Sequence, residues 1–137
     1  LCNILFAKEL NRRLLKRNKP MPVIAWAPGL VIPKGKDGFF KYSRKYNELG
    51  QLIFAFMARD ILRISESPYN AGILLNQLCN DNKFNKVGFK YYINKGNGFV
   101  KSDLIESLIS KEAHDDKLST KLWNYTCDYL GIERELP

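Results

Sequence analysis

The sequence feature that most constrains the fold is an apolar stretch at residues 21–33, which reads Met-Pro-Val-Ile-Ala-Trp-Ala-Pro-Gly-Leu-Val-Ile-Pro. Val23, Ile24 and Trp26 suit a pleated surface. The run around them is almost continuously apolar, and such a run is typical of a strand that is covered on both faces. The sequence therefore predicts a buried strand of a parallel sheet that lies between layers of helices.

The strand is predicted to end at Pro28, because proline has no N–H to give to a strand ladder. Gly29 has no Cβ, so another group can come close to the backbone at this point. In open α/β sheets, small molecules bind just beyond the carboxyl ends of the strands. Residues 29–32 are therefore the best candidate for a contact surface, and an ordinary Pro-Gly turn is the simpler alternative.

The length of 137 residues and the hydrophobic content of 45% fit one ordinary domain. Leu1-Cys2-Asn3 leads directly into an amphipathic helix, without an initiator Met, which favours a fragment of a longer protein. The net charge of +8 favours contact with phosphates, nucleic acid or an anionic membrane surface. Many of the cations share the first helix on a face separate from its apolar face, so a solvated surface is the simpler explanation for them.

The three cysteines, Cys2, Cys79 and Cys127, are widely spaced and form no Cys-x-x-Cys pair. His114 is the only histidine. This pattern predicts free buried thiols in a reducing compartment, with neither a disulfide framework nor a metal site. The longest apolar run, residues 52–58, is too short to cross a bilayer.

The periodicity of apolar residues and the capping residues predict the order α-β-α-α-β-α-α. The predicted helices cover residues 2–17, 48–64, 68–79, 102–111 and 115–130, the second strand covers 88–93, and a glycine-rich turn follows at 95–98. Ser67 and Pro68 suit the N-cap and first position of the third helix, and Gly131 suits the end of the last. Because two strands cannot make a satisfactory sheet with so many helices, further strands are expected upstream.

Aromatic and basic residues alternate after a flexible loop: Phe39, Phe40, Tyr42 and Tyr46 lie among Lys41, Arg44 and Lys45. Such a stretch can bind single-stranded nucleic acid, line the mouth of a pocket for a large flat substrate with acidic groups, or form a half-buried surface helix. In the next helix, residues 48–64, apolar side chains cover most of the circumference. That helix is expected to be covered partly by protein and partly by substrate, a partner subunit or a membrane surface.

The chain resembles the back half of a short-chain dehydrogenase/reductase, directly after its Tyr-x-x-x-Lys motif. The resemblance lies in Leu-Cys-Asn-Ile-Leu-Phe-Ala-Lys-Glu-Leu-Asn-Arg-Arg-Leu at residues 1–14, followed by the strand and Ala-Pro-Gly. Within that superfamily the chain is similar to light-dependent protochlorophyllide reductases and, second, to retinol dehydrogenases. Ser-Lys-Glu-Ala-His-Asp at 110–115, Lys-Leu-Trp at 121–123 and Leu-Gly-Ile at 130–132 resemble the C-terminal tail of these enzymes.

The resemblance implies an α/β fold in which residues 1–137 form the C-terminal portion of one doubly wound Rossmann-type parallel sheet domain, with the N-terminal strands missing from this chain. Residues of about 34–64 would form a substrate lid. The catalytic Tyr and Lys are expected upstream of Leu1, so no catalytic residue and no metal ligand is assigned here. The implied NADPH-binding residues are Pro28, Gly29, Leu30, Val31 and Ile32, with the Val31 amide on the nicotinamide carboxamide, and the implied substrate-binding residues are Phe39, Phe40, Tyr42, Phe54 and Phe56.

The implied activity is the NADPH-dependent reduction of a tetrapyrrole double bond in chlorophyll biosynthesis, carried out by a longer chain and not by this stretch alone. The implied partners are a lipophilic tetrapyrrole substrate, a second copy of the chain and a photosynthetic membrane contacted peripherally, without nucleic acid. The location would be cytoplasmic or at that membrane. The alternatives are a reductase of a retinoid, steroid or other lipophilic carbonyl, a non-catalytic remnant, and a small basic binding module.

Two positions depart from the resembled enzymes. Leu30 stands where the protochlorophyllide enzymes have a cysteine, and Pro33 stands where many family members have a threonine whose hydroxyl meets the cofactor. The first departure removes a thiol implicated in substrate handling, and the second removes a cofactor contact.

Overall fold

The computed structural model describes residues 1–34, 42, 45–97 and 100–135. Within these ranges the protein is an α/β structure with four α-helices and a three-stranded mixed sheet that contains one parallel pair and does not close. The strand order in the sheet is β1-β2-β3. The elements are α1 Cys2–Lys16, β1 Pro22–Ala27, α2 Glu48–Phe56, α3 Pro68–Asn80, β2 Gly88–Asn97, β3 Val100–Glu106 and α4 Asp116–Leu130.

The helix predictions for α1, α3 and α4 are confirmed by the structure. The Ser67 side chain accepts a hydrogen bond from the Asn70 N–H, with Pro68 at the first helical position. The Asp115 side chain accepts from the Leu118 N–H and begins α4. Gly131 ends that helix in the left-handed conformation, with φ of 64°. These helix ends are local, which explains why the sequence alone predicts them.

The prediction of a helix at residues 102–111 is wrong. The segment Val100–Glu106 is strand β3, and a short 3-10 helix follows at Lys111–His114. β3 pairs with β2, which is longer than the predicted 88–93 and runs from Gly88 to Asn97. Pairing with β2 overrides the apolar periodicity of the segment, because the ladder satisfies the backbone groups along its length.

Strand β1 is less buried than its sequence predicts. Val23 is buried, and the other five residues of the strand are half-buried. The reason lies in the strand order, since β1 is an outer strand of the sheet that the described residues form. An apolar strand in this position presents one edge that is not paired within the sheet.

The chain divides into two compact units. One comprises Leu1–Trp26, Asn82–Tyr92 and Glu106–Pro137, and the other comprises Ala27–Asp81 and Ile93–Ile105.

The first unit is built on the packing of α1 against α4. The Phe6 ring stacks on Trp123 with centroids 4.7 Å apart. Leu5 and Glu9 are buried on α1, and Ser119, Trp123 and Cys127 are buried on α4. The sequence predicts a more apolar interface, including Leu118 and Leu130, but both are exposed. The reason is that each helix buries a single row of residues spaced four apart, and these rows include the carboxylate of Glu9 and the hydroxyl of Ser119. Leu118 and Leu130 lie outside the buried row of α4.

The Glu9 carboxylate is only 1% exposed and is neutralised by two arginines. Arg12 donates from Nε and Nη2 at 2.9 and 2.7 Å, and Arg13 donates from Nε at 2.7 Å. Arg12 also donates to Thr120 Oγ1 at 2.9 Å, which ties α1 to α4. A buried carboxylate is tolerated when its oxygens are hydrogen-bonded and its charge is paired.

The second unit contains α2, α3 and the ends of β2 and β3 that lie nearest to each other in sequence. α2 is followed by one turn of π-helix at Met57–Ile61. Ile32, Ala55 and Ala58 form a small buried cluster there, with Leu30 packed against it. Gly96 and Ser102 lie close together, since a Cβ on Gly96 would stand 2.7 Å from the Ser102 Cα.

This close approach generates a stability prediction. We expect Gly96→Ala to lower the free energy of unfolding by about 1–3 kcal/mol, because the added methyl group overlaps backbone and Gly96 has φ of 154°. Gly72→Ala is the matched control. Gly72 lies inside α3 and a Cβ there meets nothing within 4 Å, so that change should stabilise the chain by about 0.5–1 kcal/mol. Urea titration of both variants measures the change in the free energy of unfolding, and a Gly96→Ala variant as stable as the parent would contradict the packing described.

Candidate ligand site at the end of strand β1

The backbone changes direction directly after β1. Gly29 has φ of 76°, in the left-handed region that favours glycine. Among the described residues, and apart from the two chain neighbours of Gly29, no atom lies within 4 Å of the position that a Cβ on Gly29 would take. The glycine is therefore required by the backbone conformation, and the space beside it is open for another group to approach.

The segment after Gly29 is held in place by a short parallel pairing with Glu66. The Glu66 N–H donates to the Leu30 carbonyl at 2.7 Å, and the Ile32 N–H donates to the Glu66 carbonyl at 3.2 Å. The two bonds form an isolated parallel bridge between Val31 and Glu66. This pairing fixes the chain in an extended conformation just beyond the strand.

The pairing leaves the Val31 N–H unused. Successive N–H groups of an extended chain alternate in direction. Because the Ile32 N–H points toward Glu66, the Val31 N–H points away from it. A backbone donor therefore lies at the position where the resemblance implies a contact with the nicotinamide carboxamide.

A polar cavity of about 80 Å³ lies at the same end of the strand. At roughly 30 Å³ for each water molecule, it has room for a group about the size of an amide and not for a whole nicotinamide ring. The Asn94 side chain donates from Nδ2 to the Pro28 carbonyl at 3.1 Å. The cavity is lined by Pro28, Gly29, Leu30, Ile64, Ser65, Glu66, Asn94, Gly96 and Ser102.

Ser65 gives this cavity an unusual feature. Its Oγ is buried and has no hydrogen-bond partner within the described part of the chain. A buried hydroxyl without a partner costs about 1–3 kcal/mol. The hydroxyl is therefore suited to a polar group that enters the cavity.

The Glu66 carboxylate has a structural role. Its Oε1 accepts from the Ser67 N–H and from Asn70 Nδ2, each at 3.1 Å. It therefore satisfies donors at the beginning of α3, where a negative charge is favoured. No sequence signal marks Ser65, Glu66 or Asn94 as site residues, although Ser67-Pro68 predicts that a helix begins directly after Ser65 and Glu66.

The predicted lid is attached directly to this segment. Ile32 packs against Ala55 of α2 and against Ala58 of the π-helical turn. Arg59 donates from Nη1 to the Pro33 carbonyl at 3.3 Å. Arg59 also pairs with Asp60, and these hydrogen bonds lower the pKa of the Asp60 carboxyl below its ordinary value. Contacts on both sides of Pro33 therefore join the strand end to the lid.

The large apolar side chains of the lid lie mostly at the surface. Phe54 is 46% exposed and Phe56 is 54% exposed, while the small residues Ala55 and Ala58 are buried. Tyr42, which is also predicted to bind substrate, is exposed. Phe39 and Phe40 lie outside the described residues, as do Lys41 and Arg44 of the basic aromatic stretch. The further exposed apolar residues of this segment are Leu49, Leu52, Ile53, Met57, Ile61, Leu62 and Ile64.

The described residues contain no group of three or more His, Cys, Asp and Glu side chains that could hold a metal ion. The thiol of Cys127 is buried, whereas Cys2 and Cys79 are exposed, contrary to the prediction for those two. Among the helices of the described ranges, none combines the length and the apolar character needed to cross a membrane.

Comparison of the chain with protein-family models, with curated proteins and with solved structures finds no match. The site is therefore interpreted from its own geometry and from the sequence resemblance described above.

The unpartnered Ser65 hydroxyl leads to a prediction about the free energy of unfolding. We expect Ser65→Ala to leave the free energy of unfolding unchanged or to raise it by about 1 kcal/mol, because it removes a buried group without a partner. Ser67→Ala, two residues away, should lower it by about 1 kcal/mol, because it removes the N-cap of α3. Urea titration of the two variants compares them, and a Ser65→Ala variant as destabilised as Ser67→Ala would contradict the assignment.

Proposed function

We propose that this chain is the C-terminal part of a doubly wound Rossmann-type short-chain dehydrogenase/reductase domain, and that it contributes to NADPH-dependent reduction of a lipophilic substrate. The proposed substrate is a tetrapyrrole of the protochlorophyllide type. The proposal rests on the sequence resemblance and on the geometry at the end of β1. Because β1 is an outer strand of the described sheet, its outer edge suits pairing with a further strand, as a larger sheet would require.

The observation that carries the proposal is the direct packing of the candidate cofactor segment against the candidate lid. Ile32 lies in one buried cluster with Ala55 and Ala58. A reductase must hold the reacting carbon of the cofactor and that of the substrate in register while water is excluded. A rigid contact between the strand end and the lid helix is a means of keeping that register.

The residues at the strand end fit a carboxamide. The Val31 N–H, on the side away from Glu66, can donate to the carboxamide oxygen, and the unpartnered Ser65 hydroxyl can donate to or accept from a polar group that enters the cavity. The cavity has room for an amide-sized group, so the ring itself would lie outside it, beside Gly29. NADPH, when bound, supplies a hydride to one carbon of the substrate double bond, and the neighbouring carbon takes a proton.

The lid fits a large, flat and apolar substrate. The exposed aromatic rings of Phe54 and Phe56 lie on the helix whose small residues contact Ile32. Such rings can cover a tetrapyrrole and keep water from the reacting carbons. Basic residues of the chain, which carries eight excess positive charges, can meet the carboxylate of the substrate.

The departure at Leu30 bears on the substrate and not on the cofactor. Leu30 packs against the Ile32, Ala55 and Ala58 cluster, and its backbone carbonyl pairs with Glu66. The side chain therefore contributes packing where the resembled enzymes contribute a thiol. Reduction that depends on a thiol at this position is not part of the proposal.

The Val31 amide gives the test of cofactor binding in the natural gene product. We expect Val31→Pro to weaken NADPH binding about tenfold, because it removes one backbone donor worth about 1.5 kcal/mol. Val31→Ala keeps the donor and should bind as the parent does. Titration of NADPH fluorescence measures both affinities, and circular dichroism checks that both variants fold.

Equal NADPH affinities for Val31→Pro and the parent would contradict the assignment of the cofactor to this segment. Turnover of protochlorophyllide under illumination, with none in the dark, would support the tetrapyrrole as substrate. Dark reduction of a retinoid or steroid carbonyl, with no photoreduction, would favour the alternative substrate class.

A further inference from the structure

A second polar cavity lies in the other unit, beside the C-terminal half of α1, and none of its lining residues lines the cavity at the end of β1. Its volume is about 140 Å³. Four cations and two carboxylates line it, so the lining carries two excess positive charges. We call it the α1 cationic cavity, and its residues are Glu9, Arg12, Arg13, Lys16, Arg17 and Glu135.

One of the two carboxylates is fully committed to the structure. Glu9 is buried and accepts three hydrogen bonds from Arg12 and Arg13. Arg13 is further fixed by its guanidinium, which lies 4.9 Å from the centre of the Trp123 ring, and by its donation to the Arg134 carbonyl at 2.7 Å. The inner wall of the cavity is therefore rigid.

The second carboxylate is held loosely at the mouth of the cavity. Glu135 is 73% exposed, and its oxygens lie 3.6 Å from Arg13 Nη1 and from Arg17 Nη2. These distances are longer than those of charge-assisted hydrogen bonds, which are about 2.7–2.9 Å. The Lys16 ammonium has no hydrogen bond or ion pair among the described residues. The described residues therefore do not fully neutralise the cations at the mouth.

We propose that the α1 cationic cavity binds a phosphate-type oxyanion, with the Glu135 side chain as an internal competitor that the anion displaces. Once the Glu135 side chain leaves, the four cations and Glu9 carry three excess positive charges, which favour a dianion over the single carboxylate. Guanidinium groups and an ammonium group are the donors that proteins use for phosphate. The backbone beside Glu135 stays anchored when its side chain leaves, because the Arg134 carbonyl accepts from Arg13 and from Trp123 Nε1.

Calorimetric titration of the chain with inorganic phosphate at pH 7.5 tests this proposal, with ionic strength held constant by chloride. We expect saturable binding with one site. Lys16→Gln and Arg17→Gln should each weaken it about fivefold or more, since each removes a cation from the mouth. Lys86→Gln is the control for net charge, because Lys86 is exposed in the same unit but does not line the cavity, and it should leave the affinity unchanged.

Glu135→Gln is the most informative variant, because it should tighten phosphate binding by several fold. A purely structural arrangement of ion pairs predicts no such gain. Glu133→Gln makes the same change in charge two residues away, outside the cavity, and should have little effect. The proposal is overturned if phosphate does not bind, or if Glu135→Gln and Glu133→Gln change the affinity equally.

Two further binding experiments on the parent chain distinguish a soluble phosphate compound from a lipid headgroup. Glycerol 3-phosphate that competes with inorganic phosphate would support a soluble phosphomonoester. Sedimentation with vesicles that contain phosphatidic acid, and not with vesicles of phosphatidylcholine alone, would support a lipid headgroup in the same cavity if Lys16→Gln abolishes it. Because none of these experiments involves NADPH, a negative result would count against the phosphate site and not against the proposed reductase function.

Discussion

The arrangement of the second unit depends on the two backbone hydrogen bonds that join the chain after β1 to Glu66. They fix Leu30 and Ile32 against Glu66 in a parallel pairing. The carboxylate of Glu66 meanwhile accepts donors at the beginning of α3. Glu66 therefore connects the end of β1 with the start of α3. The cavity at the strand end is lined by residues of both joined segments, including Leu30 and Ser65.

The same pairing explains why the large apolar side chains of α2 are exposed. With Ile32 fixed, the helix is anchored by Ala55 and Ala58, which are small enough to bring it close. The large side chains around these alanines then face away from the contact, and Phe54 and Phe56 are about half exposed. The π-helical turn at Met57–Ile61 contains Ala58 and so takes part in this contact, and such turns are frequent at functional sites.

The features of this chain that are local could be predicted from its sequence, whereas those that depend on distant pairing could not. The caps of α3 and α4 are encoded within a few residues, at Ser67-Pro68 and at Gly131, so their positions could be predicted. The strand at Val100–Glu106 was missed because only its pairing with β2 defines it. The burial of Glu9 was also unpredicted, because both the phase of α1 and the positions of two arginines are needed to explain it.

The candidate site shows the same division. Pro28-Gly29 is visible in the sequence, and the positive φ of Gly29 agrees with the turn expected there. Ser65 and Glu66 lie more than 30 residues further along the chain, and no local signal places them beside Leu30. The fold class was predictable as α/β, while the extent of the sheet beyond the three strands belongs to the proposal.

The central claim is that the end of β1 contacts the nicotinamide of NADPH, and amide hydrogen exchange in the natural gene product tests it most directly. The account predicts that NADPH slows exchange at Val31, whose N–H faces away from Glu66, and leaves the already paired Ile32 N–H little changed. Tight NADPH binding with unaltered exchange at Val31 would place the cofactor elsewhere and contradict the account.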